Sequence, residues 1–202
     1  MLKKVVFATR NTHKIAEANK IFRTLPGYQS SSFPLIISLD EIGCFEDIPE
    51  SSGTIQGNAI QKARYVVERY GVNCFAEDTG LFVEALDGRP GVHSARYAGL
   101  EKDPDKNIDL LLEELKKHQN RSAYFLTVIA LIVHNELHLF DGKIEGAITN
   151  SRKGKLGFGY DPIFQPRGQH HTFGQMSIVE KNKISHRSQA FKKLTEYFQS
   201  TS

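Results

Sequence analysis

The chain has 202 residues, 40% of them hydrophobic and 24% charged, and a net charge of +3 at neutral pH. That length and balance suit one globular domain over residues 1–202 and exclude a disordered or low-complexity chain. The basic residues are scattered rather than massed, which argues against a nucleic-acid partner, and the longest apolar run, Phe125–Val133 with Thr127 inside, is too short to span a bilayer.

In chain order, Lys4–Ala8 is β-branched and aromatic and predicts a first strand. After the polar break Thr9–Thr12, Ile15, Ala18, Phe22 and Leu25 recur at helical spacing, with Pro26-Gly27 as the stop. Leu35–Leu39 predicts a second strand. Thr54 is a candidate N-cap for a helix carrying Ile55, Ala59, Ala63, Val66, Val67 and Tyr70, closed by Gly71. A short strand at Asn73–Ala76 and an apolar stretch at Leu81–Leu86 flank the polar turn Glu77-Asp78-Thr79-Gly80. Asp103-Pro104 opens a helix bearing Ile108, Leu111, Leu112 and Leu115. Ala123–Val133 and Leu137–Phe140 predict a hairpin, a glycine-rich loop covers Gly154–Gly159, and Ser188–Phe198 is a final helix. Early alternation of helix and strand followed by a late hairpin predicts an α/β domain with a mixed sheet. Cys44 and Cys74, without a CxxC spacing, form no disulfide framework or zinc knuckle and suit a reduced compartment. The apolar stretch after Lys3 and Lys4 stops at Thr9, so no signal peptide is read, and the expected location is the cytoplasm.

Four polar segments crowd the ends of predicted strands. Thr9-Arg10-Asn11-Thr12-His13-Lys14 precedes a helix, where free amides and the helix dipole favour an anion, although the same residues suit ordinary capping. Its glycines are too few for a Walker A loop. Glu77 and Asp78 suit a hard cation that takes oxygen ligands, or one of them a base for water, although the same pair suits an acidic turn exposed to solvent. Glu46–Glu50 is a second acidic run, ahead of the helix carrying Lys62. Gly157-Phe158-Gly159-Tyr160-Asp161-Pro162 and Lys181–Arg187 offer aromatics to stack on a base and polar groups to read its edge. Together they describe a nucleoside triphosphate pocket.

These residues carry a family resemblance. Thr9-x-Asn11-x-x-Lys14, Pro49-Glu50, Asn58-Ala59 to Lys62-Ala63, Glu77-Asp78-Thr79-Gly80, Pro90-Gly91 to Ser94-Ala95-Arg96-Tyr97, Gly157–Pro162 and Ser185-His186-Arg187 follow in order almost end to end. In this the chain resembles the inosine triphosphate pyrophosphatase family, the noncanonical purine NTP pyrophosphatases. The resemblance implies an elongated, twisted mixed sheet flanked by helices, two lobes around a central cleft, and a homodimer. It implies magnesium-dependent hydrolysis of ITP, dITP and XTP to monophosphate and pyrophosphate. Thr9, Asn11 and Lys14 would hold the phosphates, with Lys62 helping, and Arg10, Thr12 and His13 would join the substrate-binding loop; Glu50 and Asp78 would bind Mg²⁺ with Glu77 beside them as a third ligand, and Asp78 would also be the catalytic proton acceptor. Thr79, Phe158, Gly159, Tyr160, Asp161, Lys181, His186 and Arg187 would complete the substrate site, the last two at the purine edge. Three positions depart from the family pattern: Arg10 stands where glycine is common, Glu77 where aspartate is frequent, and Gly57 where an acidic residue is common.

Overall fold

A computed structural model describes residues 2–25 and 33–200. Strand β1 (Lys4–Phe7) leads into helix α1 (Thr12–Thr24), whose cap is Asn11: its side-chain oxygen accepts the amides of His13 and Lys14. The stop expected at Pro26-Gly27 lies outside the described residues. Strand β2 (Leu35–Ile37) is shorter than expected. Helix α2 (Ile55–Tyr70) is capped by Thr54, whose hydroxyl accepts the Gly57 amide, and is closed by Gly71 at a φ of 66°.

Strand β3 (Cys74–Val83) corrects the sequence reading, because Glu77-Asp78-Thr79-Gly80 is no turn. The strand runs straight through those four residues. It pairs in parallel with β1 and then, further along, antiparallel with β4 (Pro90–Gly91). Helix α3 (Pro104–Glu114) starts as expected at Asp103-Pro104, and strands β5 (Ser122–Val133) and β6 (Glu136–Ile148) are joined by His134-Asn135. Both linker residues have positive φ, 52° and 67°, the geometry of a two-residue hairpin turn. Strand β6 extends well past the expected Phe140. It pairs antiparallel with β7 (Phe164–Pro166) at Gly146, where a Cβ would lie 2.3 Å from the Gln165 carbonyl oxygen, so no larger residue fits. Helix α4 (Ile178–Ile184), unanticipated, opens with a capping box between Ser177 and Glu180, and α5 (His186–Ser200) follows at once.

The sheet order is β2-β1-β3-β5-β6-β7, with β4 on β3, and parallel and antiparallel pairs both occur. The fold is therefore a mixed α/β sheet, as expected. The chain divides into two units, Met1–Asp78 with Thr127–Gly142 and Arg187–Ser202, and Thr79–Leu126 with Lys143–His186. The first unit packs α1 and α5 on one sheet face. There Phe7 and Phe75 stack with centroids 4.5 Å apart, and Phe191 meets Phe22 edge-on at 5.0 Å. The second unit packs Ile108, Leu111 and Leu115 with Leu81, Val83, Phe125, Phe164 and Phe173. Each such side chain contributes about 1.5–3 kcal/mol by leaving water. Among the described residues no helix is long and apolar enough to cross a membrane.

Candidate active site

Strand β3 organises the charged groups of the first unit. Side chains alternate across a strand, so Glu77 follows Phe75 to the face covered by α1 and α5, while Asp78 follows Ala76 to the opposite face. Glu77 is fully buried there. Arg187, from the first turn of α5, donates Nε–H to both Glu77 oxygens at 3.0 and 3.1 Å and Nη1–H to Glu17 of α1. Burial alone would raise the Glu77 carboxyl, but Arg187, with Lys14 and Lys62, outweighs it and holds the group below the usual carboxylate range.

Two lysines converge on the main chain of the same residue. Lys14 Nζ, on the first turn of α1, lies 3.4 Å from the Glu77 carbonyl oxygen and 3.6 Å from Glu77 Oε1. Lys62 Nζ, from α2, donates to that carbonyl at 2.8 Å. Burial lowers the Lys14 pKa, only partly opposed by Glu77, and the neighbouring Lys62 lowers it further. Lys62 also pairs with Glu50 Oε1 and lies 3.5 Å from Asp78 Oδ1. Glu50 and Asp78 thus already share one cation, and their hard carboxylate oxygens fit magnesium in its place.

Of the three carboxylates expected to hold magnesium, this geometry brings two together. The period of two sends Glu77 away from Asp78, and Arg187 occupies its carboxylate; Glu50 and Asp78 remain together on Lys62. Among the described residues no group of three or more His, Cys, Asp or Glu side chains is assembled to hold a metal. Arg187, expected at the purine edge, is 2% exposed and committed to Glu77 and Glu17.

Around α1, Thr9 Oγ1 accepts the Asn11 amide, and Thr12 and His13 are exposed. Arg10 reaches sideways: Nη1 meets Asp40 Oδ1 at 3.0 Å and Nη2 donates to the Cys44 carbonyl, tying the loop to the segment after β2.

The second unit holds the aromatic segment and Thr79. Asp161 Oδ2 accepts the Phe158 amide at 2.9 Å and the Lys181 ammonium at 2.7 Å, both carboxylate and ammonium buried. The same ammonium lies 5.1 Å from the Phe158 ring centre and 5.4 Å from that of Phe173. Gly157 has φ of 76°, and a Cβ there would lie 2.0 Å from Asp161 Oδ2, so the loop requires glycine. Gly159 is half-buried beside Phe158, the Tyr160 hydroxyl donates to the Ser94 carbonyl at 2.9 Å, and the His186 ring stacks on Phe125 with centres 4.5 Å apart. The Pro90–Tyr97 motif is framework: Ser94 Oγ accepts the Leu81 amide and donates to the Gly91 carbonyl.

Sequence reasoning missed Glu17 and gave Asn58 no role. Glu17 stands three positions after Lys14 on α1, close to the Ala18–Phe22 stripe, and that buried-face position was the available signal.

These features define a class: a mixed α/β fold with a buried lysine–carboxylate site at the middle of a central strand. The chain belongs to the Ham1 family, whose pattern it matches over residues 5–197. It is 51% identical to the dITP/XTP pyrophosphatase of Flavobacterium psychrophilum over 194 residues, covering 96% of this chain and 98% of that one. It is 50% identical to the dITP/XTP pyrophosphatase of Porphyromonas gingivalis, over 97% of each chain. The solved Ham1 protein of Staphylococcus aureus superposes with a TM-score of 0.87 at 34% identity, covering 99% of this chain and 100% of that one.

Proposed function

We propose that this chain hydrolyses the deaminated purine triphosphates ITP, dITP and XTP to the nucleoside monophosphate and pyrophosphate. Its Ham1 relatives named dITP/XTP pyrophosphatases support the substrate class. The observation that carries the chemistry is the convergence of Lys14 and Lys62 on one carbonyl beside the Glu50–Asp78 pair. A triphosphate repels an anionic or hydroxide nucleophile until its charge is met, and Lys14 and Lys62, gathered on one carbonyl before the substrate arrives, supply two ammoniums to meet it. Lys14 and Lys62 hold the phosphates, with Thr9, Asn11, Thr12 and His13 along the same loop, and Arg10 braces that loop. Asp78 takes the proton of the attacking water. Magnesium would be held by Glu50 and Asp78 and would supply further neutralisation of the triphosphate charge. Arg187 keeps Glu77 ionised and in place.

Phe158, half-buried, presents the aromatic surface for the base, braced by Asp161, Lys181 and the buried Tyr160, with Gly159, Thr79 and His186 alongside. A donor at the purine 6-carbonyl, from His186 or a loop amide, accepts ITP and XTP and meets an amino donor in ATP; such a mismatch of buried groups discriminates strongly. Residues 1–202 are read as a single pyrophosphatase domain, in a cytoplasmic homodimer, without a nucleic-acid partner. A panel of ordinary and deaminated triphosphates, with pyrophosphate release measured with and without Mg²⁺, tests this. Release from ATP as fast as from ITP would refute the specificity.

A further inference from the structure

Asn58 belongs to the motif Asn58-Ala59 to Lys62-Ala63 but received no role above. It lies on the first turn of α2 and is 2% exposed. Its side-chain oxygen accepts the Ser52 amide at 2.9 Å, and its Nδ2 donates to Asp78 Oδ2 at 3.2 Å. A backbone N–H can only donate, so Oδ1 must face Ser52 and the NH₂ group must face the carboxylate. One amide therefore spans two chain segments: the loop that carries Glu50, two residues before Ser52, and the strand that carries Asp78.

Helix geometry divides the labour at Asp78. Asn58 and Lys62 are four residues apart on α2 and so project from one face. Asn58 takes Oδ2, while Lys62 lies 3.5 Å from Oδ1. An ammonium can be exchanged for another cation or drawn off by an anion; a neutral amide held at its other end by Ser52 has no such alternative. We propose that Asn58 is a positioning residue that presets the cation site, fixing Asp78 through Oδ2, leaving Oδ1 for the cation, and holding the Glu50 loop beside it. This rests on the reading of Glu50 and Asp78 as the magnesium-holding pair. A hydrogen-bonding partner behind a metal ligand typically changes metal affinity or activity by about 10–100-fold when removed.

The test uses the full chain with Asn58→Ala and Asn58→Leu, and Asn58→Ser as a smaller polar change should either fail to fold. Calorimetric titration with Mg²⁺ alone, and with Mg²⁺ plus an uncleavable α,β-imido ITP, reads metal affinity; kcat, KM and melting temperature are measured alongside. Mg²⁺ affinity and kcat should each fall by about 10–100-fold. KM for ITP at saturating Mg²⁺ should stay within about twofold, because the lysines remain. In an Asp78→Ala background the same change should cost clearly less Mg²⁺ affinity than in the wild type, since one of its two targets is gone and only the hold on the Glu50 loop remains. Unchanged Mg²⁺ affinity with a lowered melting temperature would make Asn58 a mere loop anchor and overturn the proposal, as would an equal loss in the Asp78→Ala background. If the wild type binds Mg²⁺ but releases no pyrophosphate, the pyrophosphatase reading fails while the calorimetric comparison still decides Asn58. If the wild type takes up no Mg²⁺, the inference falls with the cation site.

Discussion

Arg187→Met removes the cation from a buried pair of carboxylates. The side chains of Glu17 and Glu77 are 7% and 0% exposed, and that of Arg187 is 2% exposed, so solvent cannot replace the lost partner. Breaking a buried ion pair by deleting one member costs about 3–5 kcal/mol, because the remaining charge stays desolvated. For a chain of 202 residues, each kcal/mol shifts the melting temperature by about 2–4 °C, so the expected drop is roughly 6–20 °C. Adding Glu17→Gln should recover part of the loss. Only Glu77 then remains charged, and it keeps Lys14 at 3.6 Å. Differential scanning calorimetry of wild type, single and double variants reads all of this, with kcat/KM for ITP and ATP measured in parallel. A melting temperature within about 2 °C of wild type, together with a collapsed ITP/ATP ratio, would refute the reasoning and return Arg187 to the purine edge.

Asp78→Asn, which keeps shape and removes charge, should lower kcat by ~10²-fold or more while leaving the melting temperature near wild type; pyrophosphate release measures it. Lys14→Ala should weaken uncleavable ITP by about 1.5–3 kcal/mol and leave inosine binding unchanged, as calorimetry with both ligands would show. Gly157→Ala places a methyl 2.0 Å from Asp161 Oδ2 at a φ of 76°, so it should break the Asp161–Phe158 contact and raise KM for ITP; an unchanged KM and melting curve would reject the rigid loop. Its own backbone amide, then the Tyr70 and Tyr65 hydroxyls and Arg69, hold the Glu46 carboxyl at about 2 against an ordinary 4.5. That stabilisation is complete above pH 4.5 and lost as pH falls through about 2, so Glu46→Gln should flatten the acid limb of the stability curve in that window.

Elements with local signals were legible. Thr54 and Gly71 bound α2, Asp103-Pro104 opens α3, and the positive-φ pair His134-Asn135 turns the hairpin where polar residues interrupt two apolar runs. Strand β3 was not legible, because four polar residues inside a strand read as a turn unless their partners are known. The partner of Glu77 is Arg187, 110 positions away, and the strands that pair with β3 are β1, β4 and β5. Helix α4 was legible in principle: Ser177 and Glu180 have capping-box spacing, but the helix is only seven residues long and its apolar pattern is weak. For the candidate site, Lys14 and Asp78 stood out as residue types that handle phosphate and cations, whereas Lys62 and Glu50 gained a role only through the family resemblance. Which carboxylate meets which cation followed only from the alternation of β3 and from Asn58 and Lys62 sharing one face of α2.

The first unit's charges fall into two sets with different duties. Arg187, Glu17 and Glu77 are buried and mutually bonded, a fixed set that sustains a carboxylate beneath the lysines. Lys62 with Glu50 and Asp78 is the exchangeable set, for their side chains are 35% and 14% exposed. An anion that drew Lys62 away by itself would leave Glu50 and Asp78 facing it with uncompensated charge, which is costly in a partly desolvated site. An anion arriving with a divalent cation leaves no group unpaired: the carboxylates keep a cation and the ammonium gains a phosphate oxygen. In the proposed reading, selectivity for a metal-bound triphosphate over a free one is therefore a consequence of which partner Lys62 holds before substrate arrives, and it needs no additional residue.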